Sequence, residues 1–394
     1  MRIFLVVLLV FHGAIHFFGF LRWCRLAAVP QLGGRTLVTL SPSAGLVFGV
    51  LWLVAFVLLL VGAGLLIVRS DSWWLVAFAG IALSQGLVIV AWPDAKFGTI
   101  ANALIAVAVL VSAAHAKLVH AIDGEAKALL GRSPERNGSA IVEADLARLP
   151  PPVRRWLVAS GVVGCERAHT VRLKQRGELR SEVDQSWMPV QAEQYFSVDD
   201  PGFVWKVEAT MMRVLPVTGR DRLVGGEGHM LIKVASLVDV ADAADDKIAL
   251  GAMLRFLGEI VWFPSAALSP YIVWEPVDDA RARATMRYGA RMVTAEFTVD
   301  GRGRVTGVTA DRYLGGGPDA KLTPWFIPCT EWRVVRGIEM PVRGNAIWRL
   351  PQGDFDYYRW EILDVEANHP ELYSGRRGGS TSVSSDPISL VTSS

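Results

Sequence analysis

The pattern of apolar residues divides the chain into two parts. Before residue 118, four long runs contain no Asp, Glu, Lys or Arg. Each run is about 18–25 residues long, which is enough for a helix to cross a hydrocarbon core of about 30 Å. Gly and Ala recur along the second to fourth runs, and such small residues let helices pack closely in lipid. The pattern predicts a transmembrane four-helix domain over residues 1–118, with spans at 3–21, 44–68, 73–92 and 98–116.

Basic residues beside these spans indicate how they are oriented. Arg22, Arg25 and Arg35 follow the first span, whereas Arg69 and Lys117 fall on the opposite side. Short loops rich in Lys and Arg remain in the cytoplasm, so we expect the C-terminal part outside it, although further basic residues after Lys117 favour the reverse. No small-residue cleavage motif follows the first span, which is therefore expected to be retained. We predict a multi-pass protein of the inner (plasma) membrane, with the lipid bilayer as a partner.

From Val171 onward the apolar period changes to two, which is typical of strands. Residues 300–303 (DGRG) join two of these segments as a β-hairpin turn. Ten or eleven consecutive short strands predict a mainly antiparallel meander, and a sheet of that many strands curls. The predicted strands are 171–179, 203–209, 229–236, 271–277, 281–288, 291–299, 304–313, 331–335, 339–350 and 355–365.

One strongly helical run interrupts the strands at residues 247–262. Its apolar residues share one helix face, Asp245 or Asp246 can cap its start, and Pro264 ends the run. We expect this helix to cross the open side of the curled sheet as a lid. The predicted fold class is α+β, with a transmembrane four-helix bundle followed by a mainly antiparallel β half-barrel and its lid helix. The apolar face comprises Leu250, Met253, Leu254, Leu257 and Val261.

The remaining segments are predicted as connections. Residues 119–165 are polar and mixed, and are expected to be a linker with short helices, including one at 150–161. Residues 166–370 then form the half-barrel domain. Residues 371–394 are rich in Ser and Gly and are predicted to be disordered.

Composition limits the kinds of partner and cofactor that the chain is expected to bind. The 394-residue chain is 52% hydrophobic and carries a formal net charge of +2, which gives no reason to expect a nucleic-acid partner. Its three cysteines show no metal-ligand spacing, so we expect neither a metal nor a cofactor. Cys165 and Cys329 are predicted either to form one disulfide or to be two separately buried thiols.

Several segments resemble one family. RFLGEIVWFP (255–264), VWEPVDD (273–279) and DRYLGGG (311–317) are similar to uncharacterised bacterial membrane-anchored proteins with a RYLxE/WFP hallmark. That resemblance covers most of the chain and implies no catalytic residues. The order of strands and helix is also similar to the LolA/LppX-like lipoprotein carriers. This second resemblance implies a half-barrel that holds lipid chains.

Candidate ligand-binding residues cluster around the predicted helix. Arg255 and Glu259 are four residues apart, so they either anchor a ligand head group or pair on an exposed helix face. Charged residues at 220–222 and 311–313 are expected at strand ends. The numerous aromatic residues either fill the core or line a cavity. The predicted ligand-binding set is Arg255, Glu259, Trp262, Tyr195, Trp205, Trp274, Arg312 and Tyr313.

Histidines are the polar residues of interest in the membrane part. His12 and His16 share one face of the first span, and His115 lies near the end of the fourth. Imidazoles at membrane depth serve either a metal, haem or proton site, or hydrogen bonds between helices. The motifs GxSxG and HExxH do not occur, so no residue is predicted to be catalytic.

These observations favour a membrane-anchored binding or carrier protein for a lipid or another hydrophobic molecule. One alternative is a membrane enzyme that acts on a lipid or quinone through His12, His16 and His115. Another is a ligand-free sensor or assembly protein with a membrane-protein partner. An apolar cavity beneath the helix would favour the first hypothesis, clustered histidines the second, and a filled interior the third.

Overall fold

The computed structural model describes residues 2–29, 33–132, 140–212 and 214–373. Four helices in this part of the chain are long and apolar enough to cross a membrane, as predicted. The predicted disordered tail falls almost wholly outside the described residues. The helices are α1 (Arg2–Trp23), α2 (Pro42–Ile67), α3 (Trp73–Val90), the short α4 (Trp92–Ala95), α5 (Gly98–Leu130), α6 (Pro151–Ser160) and α7 (Asp246–Glu259).

The four long helices form an antiparallel bundle. Arg2 Nε donates to the Leu66 carbonyl at 2.9 Å, so the start of α1 meets the end of α2. At the opposite end, Arg35 Nε lies 2.9 Å from Asp94 Oδ1, so the loop before α2 contacts the short helix α4. Helix α5 begins at that end and runs back past the start of α3.

Helix α5 does not end where the membrane domain was predicted to end. It continues through residues that were expected to belong to a linker. Ile122, Ala126 and Leu129 keep a helical spacing and are buried against Tyr195 and Val204 of the sheet. The predicted linker was therefore wrong for residues 119–130, and one continuous helix connects the bundle to the β domain.

The described residues of the β domain form one antiparallel sheet of thirteen strands. Strands that follow one another in sequence pair, except β6 and β7, and β1 also pairs with β13, which brings both ends of the domain to the middle of the sheet. The edge strands are β6 and β7, the two strands that flank α7 in sequence. The strands are β1 (Thr170–Leu179), β2 (Met188–Ser197), β3 (Gly202–Met211), β4 (Leu215–Val224), β5 (Glu227–Val234), β6 (Val238–Ala243), β7 (Ile272–Pro276), β8 (Arg281–Tyr288), β9 (Arg291–Val299), β10 (Val305–Leu314), β11 (Lys321–Val335), β12 (Ile338–Leu350) and β13 (Gly353–Ala367).

Three strands and part of a fourth were missing from the sequence prediction. Strands β2 and β4 contain Pro189 and Pro216, together with inward-facing polar residues, so they lack a clean apolar alternation. Strand β6 is only six residues long. Strand β11 begins at Lys321, whereas the sequence predicted a start at 331. The earlier part was missed because it contains prolines, which are uncommon inside strands, and the pairing of β11 with β12 has register shifts.

Helix α7 is confirmed, but it is more deeply enclosed than a lid. Asp245 caps it by accepting from the Ile248 backbone N–H at 2.8 Å. Nine of its fourteen residues are buried, on more than one face. The helix packs against β3, β4 and β5 on one side and against β8, β9 and β10 on the other. The sheet therefore curls around α7, and the main core lies between them.

Two smaller expectations are also decided. Helix α6 has proline in its first turn and ends at Gly161, whose φ of 81° is the left-handed conformation expected at a C-cap. Cys165 is exposed, Cys329 is buried, and both thiols are free. The disulfide is absent, and the alternative of two buried thiols holds for Cys329 alone.

Candidate ligand-binding site

A cavity of about 250 Å³ lies between α7 and the concave face of the sheet. Its walls come from strands on both sides of α7, because the sheet curls around this helix. Val207 and Ile232 line one side and Ile327 the other, while Val261 lines it just beyond the end of α7. Most of the lining is apolar, as in small-molecule sites that fix a ligand with a few polar groups.

A buried charged cluster lies at one wall of this cavity. Arg255 and Glu259 are one helix turn apart, and Arg255 Nε donates to Glu259 Oε1 at 2.8 Å. Alternation along β4 turns Asp221 inward, where it accepts from Arg255 Nη1, also at 2.8 Å. The guanidinium also lies 4.5 Å from the Trp205 ring. Because the side chains of all three charged residues are at most 14% exposed, the alternative of an exposed-face pair is wrong.

Two glutamines extend this cluster along the sheet. Gln194 on β2 donates from Nε2 to Glu259 Oε2 at 2.7 Å. Gln175 on β1 accepts from Trp205 Nε1 at 3.2 Å and from the Tyr358 hydroxyl at 3.1 Å. These contacts satisfy polar groups that would be costly to bury unpaired. Gln175 Nε2 also donates to Gln194 Oε1 at 3.5 Å, so the contacts link α7 through β2 to β1, β3 and β13.

Burial and charge act in opposite directions within the cluster. Burial raises the pKa of Glu259, against the opposing effect of the Arg255 guanidinium. Burial alone would lower the pKa of Arg255, but the carboxylates of Glu259 and Asp221 raise it. Arg255 therefore stays charged, and its N–H groups are used by partners within the protein.

Arg312 lines the same cavity from β10 in a different environment. Its Nε is buried and has no hydrogen-bond partner among the described residues. Its guanidinium lies 4.8 Å from the Trp325 ring and 5.7 Å from the Trp348 ring. Two of the arginines that line the cavity thus differ: Arg255 is paired with carboxylates, whereas Arg312 packs on aromatic rings.

A larger cleft of about 1350 Å³ separates the helical bundle from one end of the sheet. Trp73 and Trp74, at the start of α3, line its membrane side, and strand ends line the other. Val190, Ala209, Val217 and Trp360 line both this cleft and the cavity beneath α7. The open end of the curled sheet therefore faces the membrane bundle.

A family model matches residues 139–360, which is more than half of the chain, and it describes a family of unknown function (DUF6544). The chain belongs to this family. The expectation of an uncharacterised family is confirmed. Every residue that lines the cavity falls within the DUF6544 region, whereas the four membrane helices precede it. No curated protein and no solved structure matches the chain, so the resemblance to lipoprotein carriers gains no support.

The DUF6544 region brings five of the eight predicted ligand-binding residues to one place. Arg255, Glu259, Trp262, Trp205 and Arg312 all line the cavity. They come from α7 and the turn after it, from β3 and from β10. Their meeting depends on the curl of the sheet around the helix.

The other three predicted residues lie elsewhere in the DUF6544 region. Tyr195 is on the opposite face of β2, where its hydroxyl donates to Glu193 at 2.9 Å. Trp274 packs on Phe297 and donates to the Ala267 carbonyl at 2.9 Å. Tyr313 lies beneath Lys247, with Nζ 5.1 Å from the ring. None of these three lines the cavity.

Sequence reasoning missed four polar residues at the cavity or in its hydrogen-bond network: Asp221, Gln194, Gln175 and Tyr358. The charges at 220–222 were noted but were expected at a strand end. Alternation with Leu223, a buried residue of the same strand, would have turned Asp221 inward once β4 was recognised. No comparable sequence pattern distinguishes the two glutamines.

His12 and His16 lie in a hydrogen-bonded network within the bundle. His12 Nε2 donates to Asn102 Oδ1 at 2.7 Å, and His16 Nδ1 donates to the His12 carbonyl at 2.8 Å. Ser84 Oγ lies 2.8 Å from His16 Nε2 and 2.9 Å from Asn102 Oδ1. The network joins α1, α3 and α5, which favours the interpretation that these histidines bind helices together.

His115 does not join that network. It follows Asn102 by thirteen residues on α5, a distance of about 20 Å along a helix. Its Nδ1 lies 3.3 Å from the Ser236 hydroxyl, at the junction between the bundle and the sheet. Within the described residues, no group of three or more His, Cys, Asp or Glu side chains could hold a metal ion.

Proposed function

We propose that this protein is a membrane-anchored binding or carrier protein for a lipid or other hydrophobic molecule, with the cavity beneath α7 as its binding site. The observation that carries the proposal is the shared wall between the cavity and the membrane-facing cleft. A molecule leaving the bilayer beside Trp73 and Trp74 would reach the cavity through that cleft. Tryptophan is favoured at membrane–water interfaces, which supports an opening at that level.

The size of the cavity limits what it takes. Its volume of about 250 Å³ is close to the lower end of the range for ligand sites, roughly 300–1,000 Å³. A single acyl chain or a small ring system suits this space better than a whole two-chain lipid. The second chain of a larger lipid would remain in the cleft.

The orientation of the protein belongs to the same proposal. The sheet lies at the end of the bundle where α1 begins and α3 starts, opposite the loop that carries Arg35. The bias of basic residues toward that loop supports a cytoplasmic position for it. We therefore propose an inner-membrane protein whose β domain is extracytoplasmic.

Native mass spectrometry of the full chain, extracted in polymer nanodiscs, tests the binding function. We expect a bound hydrophobic molecule with the wild type. Val217→Trp places a larger side chain where the cavity meets the cleft, so it should reduce the amount of bound molecule. Val273→Trp is the control, because Val273 is 52% exposed on edge strand β7.

Absence of any bound molecule in both the wild type and the Val273→Trp control would reject the binding function. It would favour the ligand-free sensor or assembly protein. Equal ligand content in wild type and Val217→Trp would reject the shared wall as the route.

A further inference from the structure

We propose that the molecule bound beneath α7 is an amphipathic anion whose oxyanion head is held by Arg312 and whose apolar part fills the cavity. This inference rests on the binding function proposed above and names the class of ligand. It is carried by the unequal environments of the three arginines that line the cavity, Arg220, Arg255 and Arg312.

Two of these arginines already have acidic partners. Arg255 is paired with Asp221 and Glu259, each at 2.8 Å. Arg220 Nε lies 3.2 Å from Glu125 on α5, on the other side of the sheet. Neither guanidinium has its charge free for a ligand.

Arg312 has no acidic partner and no hydrogen-bond acceptor among the residues that the structure describes, and its Nε is buried. Its sequence neighbour Asp311 is exposed and, by strand alternation, points to the opposite face of β10. A guanidinium has five N–H donors and no acceptor, and aromatic rings satisfy none of those donors fully. Arg312 is therefore a cation that an external anion would complete.

The position of Arg312 is fixed by packing on two sides. Trp325 lies under the guanidinium at 4.8 Å. Gly251 of α7 lies against it, since a Cβ at that position would be 3.2 Å from Nε and 3.5 Å from Nη2 of Arg312. Glycine within a helix is destabilising relative to alanine, so this close approach gives Gly251 a packing role. A guanidinium held in one orientation can form the paired, parallel hydrogen bonds that carboxylates and phosphates accept.

The contacts of the neighbouring cluster support the same conclusion. Asp221 and Glu259 both accept hydrogen bonds from Arg255, each at 2.8 Å. These acidic groups are already engaged with Arg255 and Gln194. They are not partners for Arg312.

The experiment measures equilibrium binding of labelled dodecanoate, dodecyl phosphate and dodecanol to the full chain in phosphatidylcholine nanodiscs, corrected for uptake by empty nanodiscs. We expect wild type to bind one or both anions more tightly than dodecanol. Arg312→Met keeps the packing on Trp325 and removes the charge. It should weaken anion binding by roughly tenfold to a hundredfold, and leave dodecanol binding unchanged.

Two further variants make the test specific. Arg312→Lys keeps the charge but loses the planar guanidinium, so we expect an intermediate loss of anion binding. This variant also tests the proposal if Arg312→Met does not fold. Arg349→Met is the matched control. Arg349 is exposed and its guanidinium also lies over an aromatic ring, 4.5 Å from Phe326, but it does not line the cavity.

The outcomes separate this inference from the binding function. If wild type binds none of the three probes, the binding function itself fails. If wild type binds dodecanol as tightly as the anions, or if Arg312→Met and Arg312→Lys bind the anions as wild type does, only the assignment to Arg312 is overturned. Preference for the phosphate over the carboxylate, or the reverse, identifies the head group.

Discussion

Arg255 on α7 and Asp221 on β4 are joined by a hydrogen bond of 2.8 Å, although 34 residues separate them in sequence. The partner on the other side of Arg255 is Glu259, one turn along the same helix. The cluster therefore combines a local contact, which the spacing predicted, with a tertiary contact that depends on how the sheet curls. Its burial makes it a structural tie between helix and sheet.

Arg255→Met should destabilise the protein by about 3–5 kcal/mol, because it leaves two buried acidic groups without their cation. Urea unfolding followed by tryptophan fluorescence measures the change. The triple variant Arg255→Met, Asp221→Asn, Glu259→Gln should recover much of the loss, since no charge is then buried unpaired.

Arg349→Met provides the comparison for this prediction. Arg349 is an exposed arginine that stacks on Phe326. Substitutions at such surface positions usually change stability by no more than about 0.5 kcal/mol. Equal losses in the Arg255 and Arg349 variants would contradict the structural role of the buried cluster.

Glu259 should make stability fall as pH rises. Burial raises its folded-state pKa above the ordinary value of 4.5, so the folded protein retains a proton that the unfolded chain releases. Its contribution is fully present below pH 4.5 and is lost as pH rises through the raised pKa. Glu259→Gln should remove this loss, which urea titrations between pH 4.5 and 8 would detect as a flatter dependence.

Glu361 should behave in the opposite sense. Hydrogen bonding to Arg176 lowers the pKa of Glu361, so its contribution is present above pH 4.5 and is lost as pH falls through the lowered value. Glu361→Gln should therefore cost stability at neutral pH and little in acid. The same sign of change in both variants would show that burial does not dominate at Glu259.

The fold was largely predictable because its main elements have clear periods. The membrane spans, α7 and ten strands follow from runs of apolar residues or their alternation. Strand β4 was missed because Pro216 and the charges at 220–222 interrupt that alternation. The extension of α5 was missed because its buried stripe, with Ile122 and Ala126, lies in an otherwise polar segment.

The close packing of β5 on α7 gives a test of the enclosed position of the helix. A Cβ on Gly228 would lie 2.6 Å from Ala249 Cα and 2.8 Å from Ala249 N, so the strand contacts the helix backbone directly. Gly228→Ala should destabilise the protein by about 1–3 kcal/mol, since neither backbone can move easily. Thermal unfolding of the full chain measures the loss.

Gly124→Ala is the matched control for that variant. A Cβ on Gly124, within α5, would meet no other residue within 4 Å. Alanine is the better helix former, so this variant should be neutral or stabilised by up to about 1 kcal/mol. A neutral Gly228→Ala would mean that β5 and α7 are farther apart than the structure places them.

The candidate site was predictable only in part, for a reason that Arg312 illustrates. Its sequence context, Asp311-Arg312-Tyr313, is typical of a solvated strand end. Its role depends on Trp325 and Trp348, which come from two other strands, and on Gly251 of α7. Contacts between residues far apart in sequence leave no local pattern, whereas the pair Arg255 and Glu259 does.

Leu257→Asp should unfold the β domain. Leu257 is fully buried within α7, and an unpaired carboxylate there costs several kcal/mol. Leu363→Asp, at a residue that is 52% exposed on β13, should have little effect. Limited proteolysis of both variants gives the comparison, and resistance of Leu257→Asp equal to that of wild type would contradict the position of the helix.

The network around Asn102 supports a final prediction about the membrane bundle. Asn102 Oδ1 lies 2.7 Å from His12 Nε2 and 2.9 Å from Ser84 Oγ, and its Nδ2 donates to Gln85 at 2.9 Å. Interhelical hydrogen bonds in membranes average about 0.6 kcal/mol each, so Asn102→Leu should cost roughly 2 kcal/mol in an SDS unfolding titration. Val107→Ala, at a residue 63% exposed on the same helix, should be close to neutral.

His16→Ala separates the two interpretations of the intramembrane histidines. His16 is 1% exposed and contacts the His12 carbonyl and Ser84. If the network is structural, this variant should lower bundle stability by about 1–2 kcal/mol for two lost contacts and leave metal content and visible absorption unchanged. A metal or haem that is present in the wild type and lost in His16→Ala would instead establish an intramembrane binding site, because loss of a structural hydrogen bond changes neither metal content nor visible absorption.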